Sequence, residues 1–431
     1  MKYYSTNKRS PLVGFRQAVI NGQPGDRGLY FPDTVPRISA DVVKNIRNYS
    51  KEALAFQFLL PYAGEDIPRT ALEKIIAETL CFDFPLVQVT DRIFSLELFH
   101  GPTLAFKDVG ARFLSRCLGF FNRNSNHETI VLVATSGDTG GAVANAFTDV
   151  EGVHVVILYP AGKVSEVQEL QLTTCGSRVS ALQVSGDFDD CQRMVKMAFA
   201  DEMINRKLTL TSANSINIAR WLPQQYYYVD ALRQWDSDIL PVISVPCGNL
   251  GNISAGLLAM RSMNLRVRFI AACNANNSID TYLNKGIFQP TATIPTISNA
   301  MDVGAPSNFP RILELFEQDI AEIRSILGSD TISDEATKEQ IASTFTRFNY
   351  ITDPPGAVAM KALEQYLLKD KRSAGIFLET AHPVKFPDVV ESLIPDPIKK
   401  PAGIEVLNMK EKKVIRMNAE YPELQAFLLS M

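Results

Sequence analysis

Apolar residues along the chain follow two different spacings, and the change between them divides the sequence. Within residues 1–90, the apolar positions of Val42–Tyr62 and Arg69–Leu80 recur roughly every three to four residues, as in amphipathic helices. Turn-forming pairs such as Asn21-Gly22 separate these stretches from the start of the chain. We therefore expect residues 1–90 to form an N-terminal helical subdomain that wraps around the rest.

From about residue 92, short runs of β-branched residues alternate with helical stretches. The helices include Gly140–Phe147, which is rich in small residues, and Phe188–Asn205, where Met197 and Met203 fall on the apolar face. Strands are expected at Ile130–Thr135, His154–Tyr159, Ala181–Val184, Leu208–Thr211, Val242–Val245, Val267–Cys273 and Ile376–Leu378. This alternation predicts an α/β fold with two open, mainly parallel sheets. In such sheets, ligands bind where the carboxyl ends of strands lead into helices.

Length and charge narrow the class of protein. A chain of 431 residues is too long for one ordinary core, so two or three lobes are expected. The formal net charge is −4 and no Lys/Arg-rich run occurs, so we expect no nucleic-acid or membrane partner. No secretory signal opens the chain, and no apolar stretch approaches the roughly 20 residues of a membrane span. These features predict a soluble cytoplasmic enzyme.

Cysteine and histidine positions argue against disulfides and zinc. The six cysteines have no CxxC spacing, and the four histidines, including His127, are not paired at metal-ligand spacing. We therefore expect reduced thiols and no metal site.

The first candidate for chemistry is Lys107. A short apolar strand ends in a Gly-Pro turn and an amphipathic helix follows, so Lys107 lies at or just before a helix N-terminus. The helix dipole and partial burial both disfavour the ammonium form, and the neutral amine is the nucleophile that forms a Schiff base. The alternative is an ordinary solvated lysine.

Two other strand-to-helix junctions are rich in glycine, hydroxyl and amide groups. The first contains Ser136, Gly137, Asp138 and Thr139, and the second contains Gly248, Asn249, Leu250, Gly251 and Asn252. Backbone N–H groups at such junctions form cups for a carboxylate or a phosphate. For each loop the alternative is an ordinary capped or glycine-rich turn. The sequences match no Walker, GxGxxG or GxSxG motif.

A fourth junction follows the strand Leu208–Thr211. Asn214 or Ser215 can cap the next helix, and Arg220 lies about one turn inside it. A helix N-terminus with a nearby arginine suits a dianion, whereas the alternative for Arg220 is a solvated surface charge. Together, the four junctions provide a reactive lysine, two anion cups and a dianion clamp. That set matches pyridoxal-phosphate (PLP) chemistry on a phosphorylated amino acid.

Several strings of the chain resemble the threonine synthase family. They are GLYFP (Gly28–Pro32), ELFHGPTLAFKD (Glu97–Asp108), ATSGDTG (Ala134–Gly140), SANSINIAR (Ser212–Arg220), the GNxG loop (Gly248–Gly251), SNAMDV (Ser298–Val303) and TAHPVKF (Thr380–Phe386). They occur in the family's order over nearly the whole chain. The phosphate loop departs from the family, which often has SGNFGD where this chain has CGNLGN (Cys247–Asn252).

The resemblance implies a fold-type II PLP enzyme, the architecture shared with tryptophan synthase β and serine/threonine dehydratases. It implies three regions, which are an N-terminal subdomain (1–90), a catalytic region of two α/β lobes (91–386) and a C-terminal segment on the larger lobe (387–431). The smaller lobe, at about 110–220, is expected to move. The implied reaction converts O-phospho-L-homoserine and water into L-threonine and phosphate. A monomer or a homodimer is expected.

The resemblance also implies roles for individual residues. Lys107 would be the catalytic lysine that bonds covalently to the cofactor. The other cofactor-binding residues would be Gly248, Asn249, Leu250, Gly251, Asn252, Thr380, which faces the pyridine nitrogen, and Asp138, which lies near the ring. The substrate carboxylate would bind to Ser136, Gly137, Asp138 and Thr139, and the substrate phosphate to Ser215 and Arg220.

Two other functions remain open at this stage. A related PLP lyase would eliminate phosphate or hydroxyl and release a 2-oxo acid, and the sequence does not separate that product from threonine. A non-catalytic sensor on the same scaffold would have no need of Lys107 or Thr380.

Overall fold

The computed structural model describes residues 1–123 and 128–431, so His127 lies outside the described residues. The strands are β1 (Tyr3–Ser5), β2 (Tyr30–Pro32), β3 (Leu86–Gln88), β4 (Ile93–Glu97), β5 (Thr129–Ala134), β6 (Val153–Pro160), β7 (Val179–Ser185), β8 (Thr209–Thr211), β9 (Val242–Pro246), β10 (Phe269–Cys273), β11 (Leu327–Thr331), β12 (Gly375–Glu379) and β13 (Ile415–Asn418). The strands that the β-branched runs predicted are all present, with ends that differ by one or two residues.

The helices cover most of the remaining chain. They are α1 (Phe15–Asn21), α2 (Ala40–Lys44), α3 (Lys51–Ala63), α4 (Arg69–Thr79), α5 (Lys107–Asn122), α6 (Asp138–Phe147), α7 (Glu166–Thr173), α8 (Phe188–Ala200), α9 (Glu202–Lys207), α10 (Ile218–Trp221), α11 (Gln225–Gln234), α12 (Gly251–Met263), α13 (Ser278–Lys285), α14 (Phe309–Leu315), α15 (Ile320–Ile326), α16 (Asp334–Phe348), α17 (Pro354–Lys369), α18 (Pro387–Val390), α19 (Ala402–Asn408) and α20 (Tyr421–Leu429). Short 3-10 turns lie at Ile46–Asn48, Leu222–Gln224, Asn299–Met301 and Pro383–Lys385.

Two open sheets organise the fold. The larger has the strand order β11-β10-β9-β12-β4-β3 and is parallel except for β3, which runs antiparallel to β4. The smaller has the order β13-β7-β6-β5-β8, and all its strands are parallel. The expectation of two mainly parallel α/β sheets is confirmed. The chain leaves the larger sheet after β4, builds β5 to β8, and returns at β9.

Strand β5 shows why these runs are almost continuously apolar. Its alternating residues face opposite sides, so Val131 and Val133 join the main core while Ile130 and Leu132 join a second core under α8. Because helices cover both faces of the sheet, apolar side chains are favoured on both faces of this strand.

The helix expectations needed correction at two breaks. Val42–Tyr62 is not one helix, because Ser50 accepts a hydrogen bond from the Ala53 N–H and starts α3 afresh. Phe188–Asn205 is likewise divided where the Asp201 side chain caps α9. Met197 of α8 and Met203 of α9, both expected on the buried face, are exposed.

The N-terminal region is more than a set of helices. Strands β1 and β2 form a two-stranded antiparallel sheet, and β3 joins the edge of the larger sheet. Residues 1–90 therefore share a sheet with the catalytic region.

The expectation that the whole C-terminal segment packs on the larger lobe is wrong. Its first part does so, since Val390 and Ile394 pack near Ala357 of α17. The last strand, β13, instead pairs with β7 at the edge of the smaller sheet, and Leu424 of α20 is buried in the core of that sheet. The open edge of β7 offers unpaired backbone groups, which β13 satisfies.

Candidate active site

Lys107 begins α5 at the point where the chain leaves the larger sheet. Between β4 and α5, Ala105 pairs with Ala381, and the Phe106 N–H donates to the Thr380 carbonyl at 2.9 Å. These contacts fasten the start of α5 to the residues directly after β12. Lys107 therefore lies between the two sheets, with Thr380 beside it in the adjacent segment.

The surroundings of Lys107 favour a neutral amine. Its side chain is 18% exposed, and Nζ lies 3.5 Å from Asp138 Oδ2. Burial lowers the Lys107 pKa, and the charges of Lys385 and Arg220 lower it further, while Asp138 opposes them. A lysine that attacks an aldehyde needs its unprotonated form, which this environment stabilises.

Asp138 lies between two lysines at the start of α6. Lys385 Nζ donates to Asp138 Oδ1 at 2.8 Å, and Gln168 Nε2 donates to the same oxygen at 3.0 Å. Burial raises the pKa of Asp138, but the charges of Lys385 and Lys107 outweigh it and hold the pKa well below its usual range. Asp138 is therefore a buried carboxylate. It lies beside Lys107, and its place near a cofactor ring stays a prediction.

Lys385 is a functional candidate that sequence reasoning missed. Its side chain is 0% exposed, which is rare for a lysine. The string TAHPVKF contains it, but only Thr380 was singled out from that string. The available signal was its place in the segment that follows a strand of the larger sheet, where ligand-binding residues collect.

Hydrogen bonds to Thr135, which was not among the predicted site residues, stabilise the loop before α6. Thr135 Oγ1 accepts from the N–H groups of Gly137 and Gly140, at 3.0 and 2.9 Å. Gly137 has φ +143°, and a side chain there would collide with Gln168, so glycine is required. The Gly137 N–H is bonded within the loop, and the role of Gly137 in binding the substrate carboxylate stays a prediction. Ser136 is exposed and Thr139 is partly exposed at the loop surface.

The glycine-asparagine loop joins β9 to α12, and the geometry of Gly248–Asn252 suits an anion. Leu250 has φ +58°, and such a left-handed residue before a helix turns successive N–H groups towards one point. Gly248 packs against the Met301 backbone so closely that a Cβ atom would lie 2.9 Å from Met301 Cα. The SNAMDV string thus forms the wall behind this loop.

Ser215 lies against this same loop. Its hydroxyl accepts from the side-chain amides of Asn249 at 2.8 Å and Asn308 at 3.1 Å. Asn308 also donates to the Asn249 carbonyl at 2.9 Å. A Cβ built on Gly251 would lie 3.3 Å from the Asn308 amide nitrogen and 3.7 Å from Ser215 Cβ. The structure therefore brings Ser215, Asn249 and Asn308 together at the N-terminus of α12, and Asn308 is a second residue that sequence reasoning missed.

Arg220 is a buried arginine, 3% exposed, packed on the helix that carries Lys107. A Cβ on Gly110 of α5 would lie 3.0 Å from Arg220 Nε, so the glycine makes room for the guanidinium. One terminal nitrogen donates to the Ala213 carbonyl at 2.6 Å, whereas Nε has no hydrogen-bond partner among the described residues. Burial lowers its pKa to about 10. A desolvated guanidinium with a free N–H group is suited to an anion.

The residues present fit pyridoxal phosphate. The Gly248–Asn252 loop opens a helix of 13 residues, whose N-terminus favours a phosphate. The buried Asn252 amide nitrogen has no partner in the described part of the chain, although its oxygen accepts from the Tyr228 hydroxyl at 2.6 Å. Lys107 supplies the amine for an aldehyde, and Thr380 supplies a hydroxyl at a segment bonded to the Lys107 turn. The phosphate, the aldehyde and the pyridine nitrogen of the cofactor thus each have a matching protein group.

Two other structural features bear on function. Within residues 1–123 and 128–431, no cluster of three or more His, Cys, Asp or Glu residues could hold a metal ion. Over the same residues, no helix has both the length and the apolar composition required to cross a membrane.

Comparison with known protein families agrees with the fold. The family described as pyridoxal-phosphate dependent enzyme matches residues 83–378, which include Lys107 and the Gly248–Asn252 loop. The chain is thus a member of this class of PLP-dependent enzymes. Two further family models, threonine synthase N terminus and threonine synthase C-terminal, match residues 2–80 and 356–428.

Individual relatives cover the chain from end to end. Threonine synthase of Serratia marcescens is 40% identical, with 100% of both chains covered. The crystal structure of threonine synthase from Escherichia coli has a TM-score of 0.92 at 38% identity, again with 100% of both chains covered. PLP-bound threonine synthase from Brucella melitensis has a TM-score of 0.92 at 33% identity, covering 99% of this chain and 98% of that chain. Within its class, the chain belongs to the threonine synthase family.

Proposed function

We propose that the chain converts O-phospho-L-homoserine and water into L-threonine and phosphate. The observation that carries the choice of a phosphorylated substrate is Arg220, a buried guanidinium with no carboxylate partner in the described structure, beside the helix of Lys107. A dehydratase acting on serine or threonine would need no second dianion site. The relatives' common name, threonine synthase, supports the same reaction.

In this proposal, the cofactor and the substrate occupy different parts of the site. The cofactor phosphate would lie at Gly248–Asn252, the pyridine nitrogen at Thr380, and the aldehyde carbon at Lys107. The substrate carboxylate would lie at the loop before α6, beside Ser136, Gly137, Asp138 and Thr139, with Asp138 donating through its backbone N–H. The substrate phosphate would lie between Arg220 and Ser215.

When bound, PLP supplies the electron sink that makes the protons on Cα and Cβ of the amino acid removable. The Lys107 amine is placed to accept the Cα proton, and its lowered pKa favours the unprotonated form that this transfer needs. Arg220 neutralises the phosphate as it leaves Cγ. Asp138 and Lys385 form a buried ion pair that keeps the surroundings of Lys107 electrically balanced during these transfers.

The cellular setting belongs to the same proposal. All six cysteines are free, in agreement with a reducing compartment such as the cytoplasm. The enzyme would act there on its small-molecule substrate as a monomer or a homodimer.

The decisive experiment is an absorbance spectrum of the purified protein with PLP, followed by addition of O-phospho-L-homoserine. We expect a visible band from the lysine-bound cofactor, which changes on addition of substrate, with release of equal amounts of phosphate and threonine. Lys107→Ala should lack the band and lose at least roughly a hundredfold of the turnover.

Product analysis gives the contrary outcomes. Release of 2-oxobutanoate instead of threonine would mean plain elimination, and equal turnover of L-homoserine without phosphate would refute the dianion site. A protein that binds the substrate yet stays colourless with PLP would favour a sensor.

A further inference from the structure

Arg311 is a second buried arginine. It belongs to α14, is 0% exposed, and packs its guanidinium 4.4 Å from the ring centre of Trp221. Its donors go to neutral groups, namely the carbonyls of Ser215 at 3.0 Å and Ile216 at 2.8 Å and the side-chain oxygen of Asn308. Among the described residues, it pairs with no carboxylate.

A buried cation with only neutral partners is energetically costly, because carbonyl dipoles replace only part of its lost hydration. The cost is visible in the acidity of the group, since burial lowers the Arg311 pKa to about 9. Its Nε also has no hydrogen-bond partner in the described part of the chain. Such a cation is stabilised when an anion binds nearby.

The nearest candidate anion site is the glycine-asparagine loop, which is separated from Arg311 by a single intervening residue. Arg311 donates to the Asn308 side-chain oxygen, and the amide nitrogen of the same Asn308 donates to the Asn249 carbonyl at 2.9 Å. The Ser215 whose carbonyl accepts from Arg311 has its hydroxyl bonded to the Asn249 amide at 2.8 Å. The guanidinium therefore stands directly behind the groups that surround the N-terminus of α12.

The loop itself provides no full positive charge. Residues Gly248–Asn252, together with Ser215 and Asn308, contribute only backbone N–H, amide and hydroxyl groups. A phosphate ester at neutral pH carries a charge of about −1.5 to −2. The dipole of α12 supplies roughly half a unit of positive charge. One further cation is needed for balance, and Arg311 is placed to be that cation.

We propose that Arg311 is a positioning residue that supplies the positive charge for the cofactor phosphate, acting through Asn308 and Ser215 without touching it. The proposal deepens the proposed function and rests on its placement of the phosphate in the Gly248–Asn252 loop. The positive charge should keep the bound phosphate in its dianionic form, because a nearby cation favours ionisation.

Two measurements test this role. The first is a ³¹P NMR titration of the phosphate of PLP bound to the wild type and to Arg311→Met at saturating PLP. In the wild type we expect the phosphate to stay dianionic below the pH of about 6 at which a free phosphate monoester titrates. In Arg311→Met the titration should move up by about one pH unit, the equivalent of a tenfold change.

The second measurement compares affinities for PLP and for pyridoxal, which lacks the phosphate. Arg311→Met should bind PLP at least roughly tenfold more weakly while its affinity for pyridoxal changes little, because the lost interaction involves the phosphate charge alone. Arg311→Lys, which keeps a cation, should recover most of the PLP affinity. Arg261→Met is the matched control, since Arg261 lies on α12 but is partly exposed and pairs with Glu322 at 2.6 Å; it should behave as the wild type.

The outcomes separate this inference from the proposed function. Equal weakening of PLP and pyridoxal, with an unshifted titration, would reduce Arg311 to a packing role while the visible band on Lys107 persisted. A wild-type phosphate that titrates like the free ester would overturn the inference even if Arg311→Met did not fold. Absence of the band in the wild type would instead refute the proposed function.

Discussion

Two lysines, Lys107 and Lys385, share the single carboxylate of Asp138 at the centre of the site. This excess of positive charge bears on the chemistry of Lys107. Lys385 Nζ lies closer to Asp138, at 2.8 Å, than Lys107 Nζ does, at 3.5 Å. The fully buried Lys385 therefore forms the shorter ion pair with Asp138. Lys107, which is partly exposed, is held less closely, and the charge of Lys385 lowers its pKa. We infer that Lys385 keeps Lys107 reactive without taking part in bond formation.

Removing Lys385 should make Lys107 less reactive. In Lys385→Met, Asp138 would pair with Lys107 alone, and the repulsion from Lys385 would be gone, so the Lys107 pKa should rise. At neutral pH we expect the apoprotein to form its bond with PLP roughly tenfold more slowly, with the rate profile displaced to higher pH. Stopped-flow absorbance after mixing with PLP, over a range of pH, measures both effects.

Gln168→Met provides a matched control for that experiment. Gln168 donates to the same Asp138 oxygen at 3.0 Å but carries no charge. Its loss should leave the position of the rate profile nearly unchanged. An equal displacement in both variants would show that packing around Asp138, and not the charge of Lys385, controls Lys107.

The position of Lys107 could be predicted from its neighbours in the sequence, whereas the burial of Arg311 could not. Lys107 follows a strand and a Gly-Pro turn, so its own neighbours in sequence predict its place. Arg311 lies 96 residues from Ser215 in the chain, and its burial depends on contacts that no local pattern encodes. The same holds for Lys385, whose partner Asp138 is 247 residues away.

At the scale of elements, a pair of buried carboxyl groups joins the end of β12 to the start of α17. Asp353 caps α17 and accepts from the Ala381 N–H at 2.9 Å, while Glu379 accepts from the Asp353 N–H at 3.1 Å. Burial raises the pKa of Asp353 to about 7 and holds that of Glu379 well above its usual value. The pair therefore keeps protons under conditions where an unfolded chain would release them.

This pair should make stability fall as pH rises. Both folded-state pKa values exceed the unfolded values of about 4, so the folded protein binds more protons between about pH 4 and pH 7, and each group costs up to about 1.4 kcal/mol per pH unit there. Glu379→Gln removes one of the two groups that bind a proton more tightly in the folded state. The thermal midpoint of the variant minus that of the wild type should therefore increase as pH rises across this range.

Glu364→Gln is the control on the same helix, because the Glu364 side chain is partly exposed. Its difference in thermal midpoint from the wild type should not vary with pH. If the Glu379→Gln difference were also constant between pH 4 and pH 7, the two carboxyl groups would not be retaining protons in the folded state.

Elements with strong local signals were predicted well, and their interruptions were not. Runs such as that of β5 are too apolar and β-branched to be anything other than buried strands or helices, and their length favours strands. The breaks at Ser50 and Asp201 depend on a single capping side chain, which competes with continuation of the helix. That competition is decided by tertiary packing, as the exposed Met203 shows.

At the scale of the whole molecule, the chain returns at its C-terminus to the lobe that it left at β9. Strand β13 extends the smaller sheet, and α20 buries Leu424 and Leu428 beside Met194 of α8. The C-terminal segment thus links the two lobes, since its earlier part packs on the larger one.

Leu424→Ala should loosen the smaller lobe selectively. Removing a fully buried leucine costs about 2–5 kcal/mol, and the affected core lies under the smaller sheet. We expect faster amide hydrogen exchange in β6 and β7 and unchanged exchange in β9 and β10. Met409→Ala, at a side chain that is 85% exposed, should alter stability by less than about 0.5 kcal/mol. Uniform acceleration in both sheets would mean that the lobes unfold as one unit.

The sequence by itself determined the class of fold, most strands, the position of Lys107 at a helix start and the loops after β5, β8 and β9, because each depends on a run of neighbouring residues. Only the tertiary structure decided that Lys385 joins Asp138, that Arg311 stands behind the glycine-asparagine loop, and that β13 completes the smaller sheet. The physical reason is that burial and charge balance belong to groups brought together from distant parts of the chain. Their energies therefore depend on the folded arrangement and leave no local trace in the sequence.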